Sequence, residues 1–498
     1  MGPVPGRPSG YFGRLGVDMH TREEQTVTAV AGHVTAGQPA PVLPPADAPG
    51  PGQVPRLADG VELLGEYQGS GYAQPPSLVR RADGQVIQVS PLLYRVACRI
   101  DGSRDLAAIA ELVSADLGRS LTADQVGYLI TAKLLPLGVV AAGEAPLAAP
   151  KASPLLALRA RGTLLSERAA NAAGALLTPL FRTPVVVAVV VSIVAMDWWL
   201  FAVHGLGGGL RQVLRDPVVL LIVGGLSLAS AVFHECGHAA GCRYGGARPG
   251  KIGVGIYLVW PAFFTNVTDS YRLSRAGRLR TDLGGLYFNA VFMLALAGLY
   301  AATSSEVLLL AIAFTHLEML EQLMPFVRFD GYFILSDLIG VPDLFARVAP
   351  IVKSALPRGR RDPRVTGLRR SARIVATTWV LCVIPLLAFG LGYLVLYLPA
   401  VDRALWSSAS LQAHLMTAAV HGHRYAMAAV DAIGIALITL SLAGSLYVVT
   451  GLARRLITLG RHWSADRPAR RLLADAAGLA VLAALAAFWT LQGQFRGW

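Results

Sequence analysis

The sequence predicts a mainly α-helical, polytopic membrane protein with about seven transmembrane helices, preceded by a small winged-helix-like α+β domain. Hydrophobic residues make up 54% of the 498 residues and charged residues only 15%, which is too apolar for an ordinary soluble protein. Apolar stretches of about 20 residues, long enough to cross a hydrocarbon core of about 30 Å, recur along the chain. They lie near 184–204, 217–240, 284–303, 306–326, 373–398, 426–450 and 472–491.

The net charge of +13 fits a membrane topology better than nucleic-acid binding. Basic segments such as "RLSRAGRLR" and "RGRRDPRVTGLRRSAR" occupy alternate connections between the apolar stretches, and the other connections hold few basic residues. Because positively charged loops stay in the cytoplasm, the pattern predicts a multi-pass cell-membrane protein with a cytoplasmic N-terminus and its C-terminus outside. No cleavable signal peptide is expected, since the first apolar stretch begins after residue 180.

Composition shifts divide the chain into five parts. The first is rich in Pro and Gly and is expected to be disordered. In the second, strand-like runs flank Ala82-Asp83-Gly84 and indicate a hairpin, and three helical patterns follow. The predicted parts are a disordered tail (1–57), a winged-helix-like module (58–142), a basic linker (143–183), a membrane core (184–345), and a basic cytoplasmic loop with three further transmembrane helices (346–498).

A winged-helix shape suggests three roles for the module. Nucleic-acid binding is disfavoured, because none of its helices carries the basic stripe or polar readers that a groove requires. An inert folding unit remains open. Peptide binding is favoured, since the exposed edge of a hairpin offers unpaired backbone groups that an extended peptide can join.

The segment "AVFHECGHAAG" (231–241) closes the second apolar stretch. His234 and His238 are four residues apart, which places both imidazoles on one face of a helix, and neutral imidazole is a favoured zinc ligand. Glu235 projects about 100° around the helix, where it can act as a general base on water instead of binding the metal. Gly237 is expected to leave space for a substrate backbone. Three ionisable residues in an apolar helix are costly unless they have a function.

The third metal ligand is predicted to be Asp330, in "EQLMPFVRFDGYFILSD" (321–337). The predicted second and fourth spans run in the same direction, so Asp330 reaches the membrane face on which His234 and His238 lie. Gly331 permits a sharp turn and a close approach of the backbone. The sequence thus predicts a Zn²⁺ site near the inner leaflet, where water can arrive from the cytoplasm.

These paired motifs, His-Glu-x-x-His and Phe-Asp-Gly, resemble those of the site-2 protease family of intramembrane zinc metalloproteases. The segments "MPFVRFDGYFILSDLIGVPDL" and "YLVWPAFFTNVTDSYRLSRAGRLRTDLGG" are similar to its peptide-maturation branch. The resemblance implies that His234, His238 and Asp330 bind zinc and that Glu235 is the catalytic base. Gln322 and Met324 stand where the branch usually has Asn, and Asn266 stands where it often has Asp.

Five residues are predicted to contact substrate. Gln322 keeps an amide that could hold a substrate strand, and Gly331 and Asn266 are grouped with it. Glu318 and Glu321 are three apart on one helix, where they either line a substrate cavity or pair with an arginine. Intramembrane carboxylates are rarely without function.

The module resembles a PqqD-like domain through "RADGQVIQVSPLLYRVACRIDGSRDLAAIAELV" and "LTADQVGYLITAKLLPLGVV". Such domains recruit precursor peptides in the biosynthesis of ribosomally made, modified peptides (RiPPs). The resemblance implies an endopeptidase that removes the leader of such a precursor, of the daptide kind for example. The expected partners are the precursor peptide, the lipid bilayer and biosynthetic or export proteins, without nucleic acid. Two alternatives stay open: a protease acting on a single-pass membrane regulator, and a non-catalytic membrane binding or transport subunit.

Overall fold

The computed structural model describes residues 28–29, 54–81, 85–141, 159–216, 218–257, 260–355, 362–464 and 468–495. These residues are mainly helical, with two small antiparallel sheets. We refer to residues 54–141 as the module and to residues 159–355 as the core. The predicted disordered tail (1–57) lies outside the described residues, apart from Thr28–Ala29 and residues 54–57.

The module combines an antiparallel sheet with three helices. The hairpin strands pair from Ser77 opposite Val89 to Arg80 opposite Val86, and the tip at 82–84 lies outside the described residues. The helices begin at good caps, among them a Thr122–Gln125 capping box. The elements are β1 (Thr28–Ala29), β2 (Glu62–Glu66), β3 (Ser77–Arg80), β4 (Val86–Val89), α1 (Pro91–Arg99), α2 (Leu106–Leu117) and α3 (Ala123–Tyr128), which a π-helical turn continues over Leu129–Leu134.

The module sheet differs from the prediction at both edges. Its strand order is β1-β4-β3-β2, so a further strand, β2, flanks the hairpin. The hairpin edge that was expected to be exposed is paired at Gln88 and Ile87 with the two residues of β1. This sheet and the helices enclose one apolar cluster, which includes Val79, Ile87 and Ile109.

The region predicted as a basic linker (143–183) is largely structured where it is described. β5 (Arg159–Leu165) and α4 (Glu167–Leu177) follow residue 158, and Ser166 caps α4 by accepting a hydrogen bond from Ala169 N–H. The linker prediction is therefore wrong for these residues. β5 was not predicted because its arginines interrupt the alternation of apolar and polar residues that is typical of a strand.

The core places three short strands and several helices around one long helix, α7. The order β5-β6-β7 leaves β7 at the edge of its sheet, with Ile252 opposite Thr265 in the β6–β7 pair. The elements are α5 (Thr183–Trp198, extended by a π-helical turn to His204), α6 (Gly207–Arg215), α7 (Val219–Tyr244), β6 (Ile252–Tyr257), β7 (Trp260–Thr265), α8 (Arg275–Asp282), α9 (Gly284–Thr303), α10 (Glu306–Gln322), α11 (Asp330–Ile339) and α12 (Phe345–Ala355).

Beyond the core, a short helix and three long helices complete the chain. The first long helix has 52 residues and is therefore about 78 Å long. It continues well past residue 398, where the predicted fifth span ends. These elements are α13 (Pro363–Thr366), α14 (Arg370–His421), α15 (Tyr425–Ser464) and α16 (Pro468–Phe495).

Six helices of the described residues are long and apolar enough to cross a membrane, instead of the seven predicted. The difference is α10, the predicted span at 306–326. It has 17 residues, or about 26 Å, and its first half (Val307–Ile312) is buried among other core helices. An even number of spans would place both termini on one side of the membrane, so the predicted outer C-terminus depends on α10. The six candidate spans are Thr183–His204, Val219–Tyr244, Gly284–Thr303, Arg370–His421, Tyr425–Thr458 and Arg471–Leu491.

The module packs directly on the core and on the segment between α13 and α14. The Gly71 N–H donates to the carbonyl of Gly340 over 2.8 Å, the Arg369 N–H donates to the carbonyl of Gly71 over 2.8 Å, and the Ala73 N–H donates to that of Gly367 over 2.8 Å. A β-carbon on Gly71 would lie 2.2 Å from the Ile339 carbonyl oxygen. This close backbone contact fixes where the module sits.

Candidate metal centre

Helix α7 presents His234 and His238 together, as their spacing predicts. Their rings are 4.8 Å apart between centroids, at 79° to each other, and their Nε2 atoms are 3.1 Å apart. Both residues are buried. Two nitrogen atoms therefore face one point inside the protein.

Asp330 joins the two histidines from the first turn of α11. Its Oδ2 lies 2.9 Å from Nε2 of His234 and 3.4 Å from Nε2 of His238, without the alignment of a hydrogen bond. Burial favours a raised pKa for Asp330, but the adjacent His238 and His234 outweigh it and hold that pKa below its usual value. Within the described residues, this is the one group of acidic, His or Cys side chains placed to hold a metal ion.

The spacing of these three atoms fits zinc. Tetrahedral ligands about 2.0–2.1 Å from a zinc ion are about 3.3 Å from one another, close to the separations of 2.9, 3.1 and 3.4 Å. Two imidazole nitrogens and one carboxylate oxygen also make a donor set typical of catalytic zinc. The residues present therefore fit the predicted cofactor.

A backbone carbonyl orients one of the imidazoles. Nδ1 of His238 lies 2.8 Å from the carbonyl oxygen of Thr281, at the end of α8. Because a carbonyl can only accept, Nδ1 carries the proton and Nε2 keeps its lone pair for a metal. Nδ1 of His234 has no hydrogen-bond partner among the described residues.

Glycines let the neighbouring helix approach the histidines. A β-carbon on Gly285 of α9 would lie 2.3 Å from Nε2 of His234, and one on Gly237 would lie 2.2 Å from the Gly284 carbonyl oxygen. Gly237 therefore serves the contact between α7 and α9, and the prediction that it makes room for substrate is wrong. The close approach places the α9 backbone beside the two histidines.

Strand β7 holds the predicted base. The hydroxyl of Thr265 lies 2.7 Å from Oε2 of Glu235 and 2.9 Å from the carbonyl oxygen of the same residue, so both acceptors share its proton. The Glu235 side chain is buried. A buried carboxylate needs such a donor. The Thr265 hydroxyl contacts Oε2 of Glu235 and does not occupy Oε1.

Two of the predicted substrate residues lie beside the histidine face of α7. Gln322 accepts a hydrogen bond of 3.3 Å from Asn289, whose own oxygen accepts one of 3.3 Å from Ser230. Glu318 accepts a hydrogen bond from Ser227. Ser227 and Ser230 precede His234 by seven and four residues, so they continue its helical face.

The other three predicted substrate residues have different surroundings. Gly331 is buried, and a β-carbon there would lie 2.0 Å from the Leu323 carbonyl oxygen, so its place is a backbone contact that leaves no room for substrate. Asn266 is exposed, and its side chain accepts bonds from the backbone and hydroxyl of Thr268 in a turn. Glu321 is exposed.

The residues that support the site are not among those predicted from the sequence. Ser227 and Ser230 could have been found as polar residues in an apolar helix, on the face of His234. Thr265 directly precedes Asn266, which was predicted to contact substrate, but Thr265 belongs to no motif that would mark it as functional. The contribution of Thr281 is a backbone carbonyl, which no residue type marks.

Comparison with known proteins finds a similarity over part of the chain. No protein-family model matches the chain, and no solved structure matches it. It is similar to a protein of Bacillus subtilis (strain 168) with the provisional name peptide zinc metalloprotease protein YydH, at 29% identity over 140 residues. The similar region covers 28% of this chain and 56% of the relative. The chain therefore spans little more than half the length of that protein.

Proposed function

We propose that this chain is a membrane-embedded zinc endopeptidase. The observation that carries the proposal is the convergence of two imidazole nitrogens and a carboxylate oxygen within 3.4 Å of one another, beside the buried Glu235. Three protein ligands with one open position are typical of catalytic zinc. The similarity to a protein named as a peptide zinc metalloprotease supports this class.

His234, His238 and Asp330 would hold the zinc ion. When bound, zinc supplies Lewis acidity, which polarises a peptide carbonyl and activates water near neutral pH. Glu235 accepts the proton of the attacking water and passes it to the leaving amine. Because Thr265 donates to Oε2, the free Oε1 is the oxygen that accepts this proton.

Water is expected to reach the site from the side of Asp330. The Asp330 side chain is 19% exposed, whereas those of His234 and His238 are 5% and 10% exposed. This arrangement admits water beside α11 and excludes it on the α7 side. A hydrolase can thus work within an apolar surrounding.

The substrate is proposed to bind as an extended strand. β7 lies at the edge of its sheet, and its last residue, Thr265, contacts the base. A peptide that adds to this edge is led towards Glu235. The amide of Gln322 and the carboxylate of Glu318 are proposed to line the adjoining cavity.

We further propose that the substrate is the precursor of a ribosomally made, modified peptide, which the PqqD-like module recruits for leader removal. The module contacts the core, which supports the proposal that a peptide bound to the module also reaches the metal centre in the core. The arginine pattern supports a cytoplasmic module and metal centre. A short precursor encoded beside this chain, and proteins that modify or export it, are the expected partners.

Reconstitution in lipid nanodiscs tests the activity directly. The full chain with zinc is mixed with candidate precursor peptides, and mass spectrometry detects truncated products. We expect Glu235→Gln to keep zinc and fold but to lose cleavage, because a neutral amide cannot accept the proton. Cleavage at the native rate by Glu235→Gln contradicts the proposed mechanism, and a native chain that binds zinc without cleaving any single-pass or precursor peptide supports a non-catalytic role.

A further inference from the structure

Arg278 on α8 is one of the two largest fully buried side chains of the described residues, both of which are arginines. Its Nε donates to Oδ1 of Asp337 over 3.0 Å, and Nη1 and Nη2 donate to the carbonyls of Leu273 and Gln68 over 2.9 and 3.0 Å. The charge is thus paired, and all three guanidinium nitrogens are used. A buried cation needs this degree of pairing.

The third member of this contact comes from the module. Tyr67, which follows β2 and is fully buried, donates its hydroxyl to the same Oδ1 of Asp337 over 3.0 Å. Its ring lies against the Arg278 guanidinium, 4.3 Å from centroid to carbon, a favourable cation–π contact. One residue of the module therefore contacts both members of a buried ion pair in the core.

Both helices of this pair lead to the metal centre. On α8, Thr281 follows Arg278 by three residues, and its carbonyl fixes the His238 ring. On α11, Asp337 follows Asp330 by seven residues, which is two helical turns on the same face. The ion pair thus sets the position of α8, which orients one ligand, relative to α11, which supplies another.

We propose that docking of the module completes the metal centre, with Tyr67 as a positioning residue that holds the Arg278–Asp337 pair. The proposal rests on the metal site of the proposed function. Without the tyrosine hydroxyl, Asp337 loses the donor that the module supplies, and α11 is held less firmly. Partners that orient metal ligands change metal affinity by about 10–100-fold when removed, and Tyr67 acts one step further out.

The test compares Tyr67→Phe with Tyr94→Phe in the full-length protein in detergent. Tyr94 is a matched control because its hydroxyl contacts Cys98 and the Gly65 backbone, both within the module. Zinc affinity is measured by competition with a chelator, and the visible bands of the cobalt-substituted protein report ligand geometry. We expect about tenfold weaker zinc binding and shifted cobalt bands for Tyr67→Phe, with native values for Tyr94→Phe.

Arg278→Lys serves as a second variant, since it keeps the charge but loses the planar fork. We expect it to shift the cobalt bands in the same direction as Tyr67→Phe. Native affinity and spectra in both variants overturn the proposal, as does metal loss that only parallels a loss of helical signal. A native chain that binds no metal instead refutes the proposed function.

Discussion

Thr265 and Glu235 are 30 positions apart, yet the threonine hydroxyl lies 2.7 Å from Oε2 of the glutamate. This contact joins the end of β7 to α7 at the residue proposed as the base. One side chain thereby links the edge of a sheet, which is the proposed peptide-binding edge, to the proposed base. The contact also makes the base dependent on a residue outside the metal motif.

Replacing this threonine tests the contact. Thr265→Val keeps the shape of the side chain and removes the donor, at a cost of about 1.5–3 kcal/mol for a hydrogen bond to a charged group. We expect kcat to fall by about tenfold or more, with zinc content unchanged. Thr265→Ser keeps the hydroxyl and is the control, and native kcat in Thr265→Val shows that the contact does not position Glu235.

The assignment of the metal ligands predicts zinc content. We expect one zinc ion per native chain, and loss of most of it in His238→Ala and in Asp330→Asn, because each removes one of three protein ligands. His414→Ala, at an exposed position of α14, is the control. Elemental analysis of purified protein measures the ratio. A native zinc content in Asp330→Asn would mean that another residue completes the site.

The pH dependence of stability tests a carboxyl pair below the metal centre. Burial, and then the charge of Asp337, raise the pKa of Asp282 well above its usual value. A carboxyl group of raised pKa stabilises the fold below its unfolded pKa of about 4, and this stability is lost as the pH rises through the folded pKa. We therefore expect Asp282→Asn to raise the melting temperature of the metal-free protein more at pH 8 than at pH 5.

The control for this measurement is Asp101→Asn, at an exposed turn of the module. Both variants are heated in the same detergent at each pH, and the melting temperature of each is subtracted from that of the native chain. A difference for Asp282→Asn that does not change with pH contradicts the expectation.

The glycine contact between α7 and α9 predicts a stability effect without any change of ligand. Gly237→Ala places a methyl group against the Gly284 carbonyl, so the helices must separate, which costs about 1–3 kcal/mol. We expect a lower melting temperature and weaker zinc binding. Gly224→Ala is a matched control on the same helix, since a β-carbon there meets nothing within 4 Å. Equal melting temperatures for the two variants contradict the expectation.

Most of the site predicted from the sequence follows from the spacing of residues along one helix. A separation of four residues on a helix places His234 and His238 together whatever surrounds them. Asp330 was predicted from the direction of a fourth span, although α10 is not among the candidate spans of the described residues. The predictions for the module's hairpin and helices likewise rest on local signals, because turn residues and caps act over a few positions.

What the sequence did not predict depends on contacts between distant segments. β5 pairs with β6 from a part of the chain about 90 residues away, and the arginines of β5 interrupt the alternation of apolar and polar residues that would indicate a strand. The length of α10 was overestimated. Burial inside a protein core and exposure to lipid both favour apolar residues, so the sequence does not distinguish a short core helix from a membrane span. No pattern in "GEYQGSGY" reveals that Tyr67 meets a residue 270 positions away.

The contact of Tyr67 with Arg278 and Asp337 means that the module and the core are not independent structural units. When a module is exchanged between chains at its sequence boundaries, the new module must supply an aromatic hydroxyl that matches the recipient core. Otherwise we expect the candidate metal centre of the recipient to change. Under the proposed function, specificity for a new peptide is therefore more safely introduced by substitutions on the module's outer surface than by transplanting the whole module.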